Sequence, residues 1–209
     1  MSKKRKIILI GGGGHSLSVA DVVVNHSSFE LAGFVDNDEH AKLSKTGAIW
    51  LGTDQFVRET KIQDFHIAIG QIKQATTRAI IYDRLTDFGK TLPVIKSKVC
   101  YISSSAGIGN GCLVMHGTLV NAFAKVHSNT ILNTGAVIEH GAKIGKHCHI
   151  APRAVILGDA VVGSNTFIGS GAIVCEGVCV GENVIVGAGE VVKKDVKDHA
   201  IIRSQTIKR

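Results

Sequence analysis

From Ile102 to Val192, every sixth residue is aliphatic. The positions are Ile102, Ile108, Val114, Val120, Val126, Leu132, Ile138, Ile144, Ile150, Ile156, Val162, Ile168, Val174, Val180, Val186 and Val192, with no insertion. Ile, Leu and Val fill less than a third of the chain, so chance would produce such a run with odds of about one in ten million or less. Two residues before most of these positions stands a small residue: Ala106, Cys112, Thr118, Ala124, Thr130, Ala136, Ala142, Cys148, Ala154, Ala160, Thr166 and Ala172. Residues two apart on a strand project to the same side, so the large and the small residue share one interior. A six-residue unit of this kind is one flat face. Three faces close a triangular coil, and residues 102–192 supply about five coils of a parallel β-helix. Gly109, Gly145, Gly163, Gly169, Gly181 and Gly187 each follow an aliphatic position, where the chain is expected to turn.

The first part of the chain has a different rhythm. Lys6–Ile10 is a strand-length apolar run closed by Gly11-Gly12-Gly13-Gly14, and Ser16–Val24 then carries Leu17, Ala20 and Val24 on one helical face. Strands are expected at Leu31–Val35 and Phe65–Ile69, and a helix at Thr76–Leu85. This alternation predicts a small parallel α/β sheet of Rossmann type. The chain therefore divides into an α/β domain, residues 1–98, and a β-helix domain with a short tail, residues 99–209. Gly11 and Gly13 after a strand, with Asp36 further on, also suit a dinucleotide site, although Ser16 stands where the third glycine would be. An NAD-dependent reductase would leave the β-helix without a role.

Composition narrows the function classes. The chain is 44% hydrophobic but only 5% aromatic, with two prolines and 24 glycines, a profile of many strands and tight turns rather than of collagen or disorder. No segment approaches the ~18 apolar residues of a membrane span. The basic start, Met1 to Lys6, leads into an apolar run too short for a signal-peptide core. Five cysteines without a CxxC pair are expected to be reduced, small core residues of a cytoplasmic protein. The net charge is +7, yet the basic residues are scattered and stacking aromatics are few, which argues against nucleic acid as partner. The densest basic segment, Lys193, Lys194, Lys197, Arg203, Lys208 and Arg209, reads as a solvated tail or as a docking surface for a polyanionic small molecule.

In a β-helix the inward positions build the core, so chemistry must come from corners and outward positions. In the six-residue frame, His140 falls at a corner, two past Ile138. His149 precedes Ile150 and points outward. His116, His127 and His147 also lie off the core positions. The stretch Leu132-Asn133-Thr134-Gly135-Ala136-Val137-Ile138-Glu139-His140, continued by Ile144-Gly145 and His149-Ile150-Ala151-Pro152, resembles the hexapeptide-repeat acetyltransferases acting on nucleotide-linked amino sugars and sialic acids. Gly11 to His15, Gly33-Phe34-Val35-Asp36-Asn37 and Ala68-Ile69-Gly70 resemble the same subgroup's sugar-nucleotide domain. The resemblance spans roughly residues 6–196 and implies a left-handed coil, a homotrimer and acetyl-coenzyme A as co-substrate.

It also implies roles. His140 matches the general base, and Asn133 a polar residue near the reaction centre. His149 matches a contact to acetyl-coenzyme A, while Gly158, Ser170 and Ala188 match the lining of the pantetheine groove. Gly13, Gly14 and His15 match the loop that meets the sugar nucleotide, with Asp36, Asn37 and Gly70 beside it. An imidazole suits the chemistry, because an amine must shed a proton as it attacks a thioester and histidine titrates near neutral pH. Neither a ligand set for a metal nor a need for one is evident. The chain departs from the family at Gly141, where an Asp or Glu usually follows the base. It also ends Ile201-Ile202-Arg203-Ser204-Gln205 instead of in a Gly-x-Pro-Ala-Arg-like segment. Three readings follow: N-acetylation of a nucleotide-linked 4-amino-4,6-dideoxy sugar for bacterial surface glycans, O-acetylation of a sialic acid-type sugar, or a sugar-nucleotide-binding scaffold impaired in catalysis.

Overall fold

In the computed structural model, which describes residues 4–26, 28–72 and 74–203, the two rhythms become two parallel architectures. β1 (Arg5–Ile10) is flanked by β2 (Phe29–Val35) and β4 (Asp64–Ile67), and β3 (Trp50–Gly52) forms the edge, giving the all-parallel order β3-β2-β1-β4. Ile7, Ile8 and Leu9 are fully buried, because a central parallel strand is covered on both faces and needs apolar residues at consecutive positions. α1 (Gly14–Asp21) begins two residues earlier than the sequence pattern predicts, and its regular part ends in a π-type turn, Val22–His26. Three successive β-branched valines, poor helix formers, occupy that turn. α2 (Asp54–Glu59) leads to β4, and α3 (Thr76–Asp87) extends two residues past its expected end.

From Ile95 the chain winds as a left-handed parallel β-helix. Its two-residue strands stack in three faces. Face I runs Ile95, Leu113, Ile131, His149, Phe167, Ile185 and Ile201; face II begins at Tyr101 and face III at Gly107. The stack thus extends beyond the 102–192 repeat at both ends. After Val192 the period shortens, since Ile185 pairs with Ile201, sixteen residues on rather than eighteen. The inward pairs behave as their spacing demands: Ala136 and Ile138, Ala142 and Ile144, Cys148 and Ile150 are all fully buried. Thr130 and Thr166 substitute for alanine because their hydroxyls donate to the carbonyls of Gly145 and Gly181 at 2.9 and 2.8 Å, which removes the cost of burying a polar group.

One expectation needs refinement and one correction. The glycines that follow aliphatic positions stand where strands end and the chain turns, but they are not themselves left-handed. A Cβ on Gly109 or Gly145 would lie 2.6 Å from a backbone nitrogen of the next coil, so these glycines let coils stack closely. The left-handed residues sit elsewhere at the corners, and several are not glycine, among them Phe123, Asn129, His147 and Asp159. The cysteines also divide. Cys112 and Cys148 are buried, Cys100 and Cys175 half-buried and Cys179 exposed, all as free thiols.

Face I is where the α/β sheet docks. Ile95, Leu113, Met115 and Ile131 join one core with Ile7, Leu9, Val19 and Val22. Beside it the fully buried Arg78 of α3 donates to the Ile69 carbonyl at 2.8 Å, and to the backbone and side-chain oxygens of Asn129 at 2.7 and 2.9 Å. The Asn129 amide returns a bond to the Arg78 carbonyl at 3.1 Å. In a triangular prism, the edge between faces II and III lies opposite face I. Among the described residues, no helix is long and apolar enough to cross a membrane.

Candidate active site

The glycine loop leaves β1 at its C-terminal end and turns into α1. Gly11 has φ +100°, and a Cβ on Gly12 would come 2.6 Å from Ala41 Cβ. Both glycines are therefore required by the fold. Gly13 and Gly14 are not: neither has positive φ, and no protein atom lies within 3.4 Å of where their side chains would start. Their bareness leaves the first N–H groups of α1 open, where the helix dipole favours an anion. Asp36, at the end of β2, accepts from Gly12 N–H at 2.6 Å and from Asp38 N–H at 3.0 Å. Asp36 and Asn37 line a cleft of about 380 Å³ with Gly11, Ile69 and Arg84, at the carboxyl ends of parallel strands where such folds bind ligands. Gly70 packs against His15, whose Cβ lies 3.4 Å from the position of a Gly70 side chain.

His15 leads from this loop to the β-helix. Its ring centroid is 6.3 Å from that of His149, and its buried Nε2 has no hydrogen-bond partner among the described residues. His149 does point out of the coil, but the α/β domain covers it. It is only 7% exposed, with Nδ1 2.6 Å from the Gln71 carbonyl and Nε2 3.1 Å from the Asn133 amide. Burial, with a contribution from Arg78, pushes His149 down to about 4 despite the Gln71 bond. Burial, then His149 and Arg78, pushes His15 down to about 4 as well. Both imidazoles are thus neutral at physiological pH. Nδ1 of His149 carries the proton that faces the carbonyl, and Nε2 accepts from Asn133. Ser170 and Ala188 lie exposed on the edge between faces I and II, one position beyond the column that contains Asn133.

His140 is elsewhere. It stands exposed on the edge between faces II and III, opposite the face that carries the α/β domain. Its ring lies over Gly158, eighteen residues on and hence one coil further: a Cβ there would fall 2.2 Å from His140 Cε1. Gly158 therefore seats the imidazole. Within one protomer the residues form two groups: the loop, Asp36, His15, Asn133 and His149 on one side, and His140 with Gly158 on the other. Gln71, Arg78 and Asn129, which fix the first group, carried no sequence signal, since nothing local marks an Arg as buried. Lys194, Lys197 and Arg203 of the basic segment are at least partly exposed. Lys208 and Arg209, like Ser204 and Gln205, lie outside the described residues.

Comparison with known proteins defines the class. Residues 6–85 match the PglD N-terminal domain, and residues 123–158 and 159–194 match the bacterial transferase hexapeptide family of six repeats. The fold is similar to that of a mutant of perosamine N-acetyltransferase from Caulobacter crescentus, which is 30% identical over 94% of this chain and 92% of that one, with a TM-score of 0.87. It is also similar to that of PerB from the same organism in complex with CoA and GDP-perosamine, which is 31% identical over 94% of this chain and 92% of that one, with a TM-score of 0.87. The acetyltransferase domain of PglB from Neisseria gonorrhoeae, in complex with acetyl-CoA, is 28% identical over 95% and 96% of the two chains, with a TM-score of 0.88. The chain belongs to the hexapeptide-repeat sugar acetyltransferases, enzymes that take their acetyl group from acetyl-CoA.

Proposed function

We propose that the chain transfers an acetyl group from acetyl-CoA to the amino group of a nucleotide-linked 4-amino-4,6-dideoxy sugar, with His140 as general base. Its product would serve bacterial surface glycan synthesis in the cytoplasm. The observation that carries this reading is the exposed imidazole of His140, seated on a bare glycine and free of hydrogen bonds among the described residues. The similarity to an enzyme solved with GDP-perosamine supports the nucleotide sugar and the N-acetyl product.

The division into two groups supports a homotrimer. One protomer holds His140 on the edge opposite its own sugar-nucleotide loop, so a complete site needs the His140 edge of one copy against face I and the α/β domain of the next. Small, exposed Ser170 and Ala188 on one edge and Gly158 on the other would then border the same groove for the pantetheine arm. Closed rotational symmetry repeats this contact without leaving an open end.

In this site the amine nitrogen attacks the thioester carbonyl. The C–N bond forms, the C–S bond breaks, coenzyme A leaves as a thiolate and the nitrogen's proton passes to His140. Asn133 retains an amide hydrogen not committed to His149, able to meet the carbonyl oxygen as charge develops there. Gly13, Gly14 and the α1 N–H groups would hold the diphosphate. Thiol release from acetyl-CoA, measured with UDP-, dTDP- and GDP-linked amino sugars and with a sialic acid, tests the assignment. Turnover confined to an amino-sugar nucleotide is expected; turnover with the sialic acid alone would replace it with O-acetylation.

A further inference from the structure

At the His140 corner, two side chains from successive coils cross. The His140 ring leans one coil forward and rests on Gly158; the Asp159 side chain leans one coil back and rests on Gly141. A Cβ on Gly141 would meet Asp159 Oδ1 at 2.0 Å and Cγ at 3.1 Å. The backbone holds the crossing in place, since the Asp159 N–H donates to the His140 carbonyl at 2.9 Å. Asp159 is exposed, adopts φ +56° and, among the described residues, has no hydrogen bond or ion pair for its carboxylate. Nor has the His140 ring. The neighbouring Glu139 turns toward the N–H of His140, 3.4 Å away, rather than toward its ring.

We infer that Asp159 is the positioning carboxylate for His140, delivered from the next coil into space that only a glycine at position 141 leaves open. Two groups of complementary chemistry thus stand at adjacent corners, each on a glycine that admits it, with no hydrogen bond or ion pair joining them among the described residues. Both side chains are exposed, and rotation of the carboxylate toward the ring would let it accept the proton of one ring nitrogen. That fixes the tautomer and leaves the other nitrogen to face the attacking amine, as outer-shell carboxylates do for imidazoles elsewhere. Position 141 itself needs no glycine for its dihedral, because Phe123, Asp159 and His147 occupy equivalent corners at φ 56–60°. A side chain at 141 would have to displace the Asp159 carboxylate from its place. The inference rests on His140 being the base.

The test is kinetic, on the full-length assembly. Asp159→Asn keeps the size of the side chain and removes its charge. It is expected to lower kcat about 30-fold while both KM values stay within about threefold and melting is unchanged; Glu139→Gln should do much less. Gly141→Glu combined with Asp159→Gly moves the carboxylate to the other side of the gap. That pair should turn over at least about tenfold faster than Asp159→Gly alone. Full kcat in Asp159→Asn beside an inactive His140→Ala overturns this inference and spares the base. Absence of any gain in the paired variant also counts against it. Undiminished turnover in His140→Ala would instead remove the reading on which it rests.

Discussion

Face I and the edge opposite it are made from the same repeat, yet their histidines live differently. His149 on face I is buried beneath Gln71, neutral and bonded at both ring nitrogens. His140, on the opposite edge, is exposed and, among the described residues, bonded at neither. The repeat determines neither condition. It presents an outward side chain at each place, and the docking of the α/β domain decides which one loses water. Burial makes His149 a fixed element of the scaffold, with both nitrogens committed and little affinity for a proton. Exposure leaves His140 open to a substrate, and on the proposed function the two regions would supply orientation and chemistry respectively.

The contrast breaks most visibly at the base. His140→Ala should lower kcat by at least about a thousandfold, roughly 4 kcal/mol of barrier, with melting unchanged because the imidazole is exposed. His149→Ala should reduce stability as well as activity. A next effect concerns the joint that buries His149. Arg78→Met leaves the acceptors of Asn129 and Ile69 without their donor, and should cost about 3 kcal/mol in urea unfolding. Turnover per folded molecule should then fall less than stability does.

Acid should separate the two regions as well. His15, His149 and the fully buried His66, pushed down to about 3 by burial, stay neutral in the folded chain. Unfolded, each takes a proton below about pH 6.5. The unfolded state therefore binds more protons between pH 6.5 and about 4, so stability falls as pH drops through that window, by up to about 1.4 kcal/mol per pH unit for each histidine. Unfolding midpoints measured between pH 7.5 and 5 should show that slope, and His66→Gln should flatten it.

The smallest effect distinguishes two adjacent glycines. Gly12→Ala forces a methyl onto Ala41 and Phe34 and should cost about 2 kcal/mol. Gly13→Ala meets open space. It should leave melting untouched while raising KM for the nucleotide sugar about tenfold, through crowding at the helix N-terminus.

Legibility followed the same division. The coil was readable because inward positions admit few residue types, so burial stamps its period on the sequence from Ile102 to Val192. Its extension to Ile95 and Ile202 was not, because Lys96 stands where the N-terminal coil's aliphatic position falls and the spacing shortens before Ile201. The corners were less readable still. A left-handed backbone tolerates Gly, Asn, Asp, His and even Phe123, so residue type there does not report conformation. In the α/β domain, β1 and β2 announced themselves as apolar runs. Trp50–Gly52 and Asp54–Glu59 are too short to show a period. The six-residue frame and the resemblance single out His140. The burial of His149 was missed because the residues covering it lie 78 positions earlier, at Gln71. Gly158, though, was open to reading: an eighteen-residue coil places 158 over 140, and the same arithmetic places 159 over 141.

A mixed-assembly experiment tests most directly the proposal that the His140 edge and the sugar-nucleotide loop act together from different copies. Chains carrying His140→Ala and chains carrying the obstructive Gly13→Trp should each be inactive alone. Co-expressed in equal amounts, they should recover about a quarter of wild-type turnover, the share of contacts that pair an intact His140 edge with an intact loop in a randomly mixed ring. Mixed assemblies that form and stay as inactive as either parent would contradict the account.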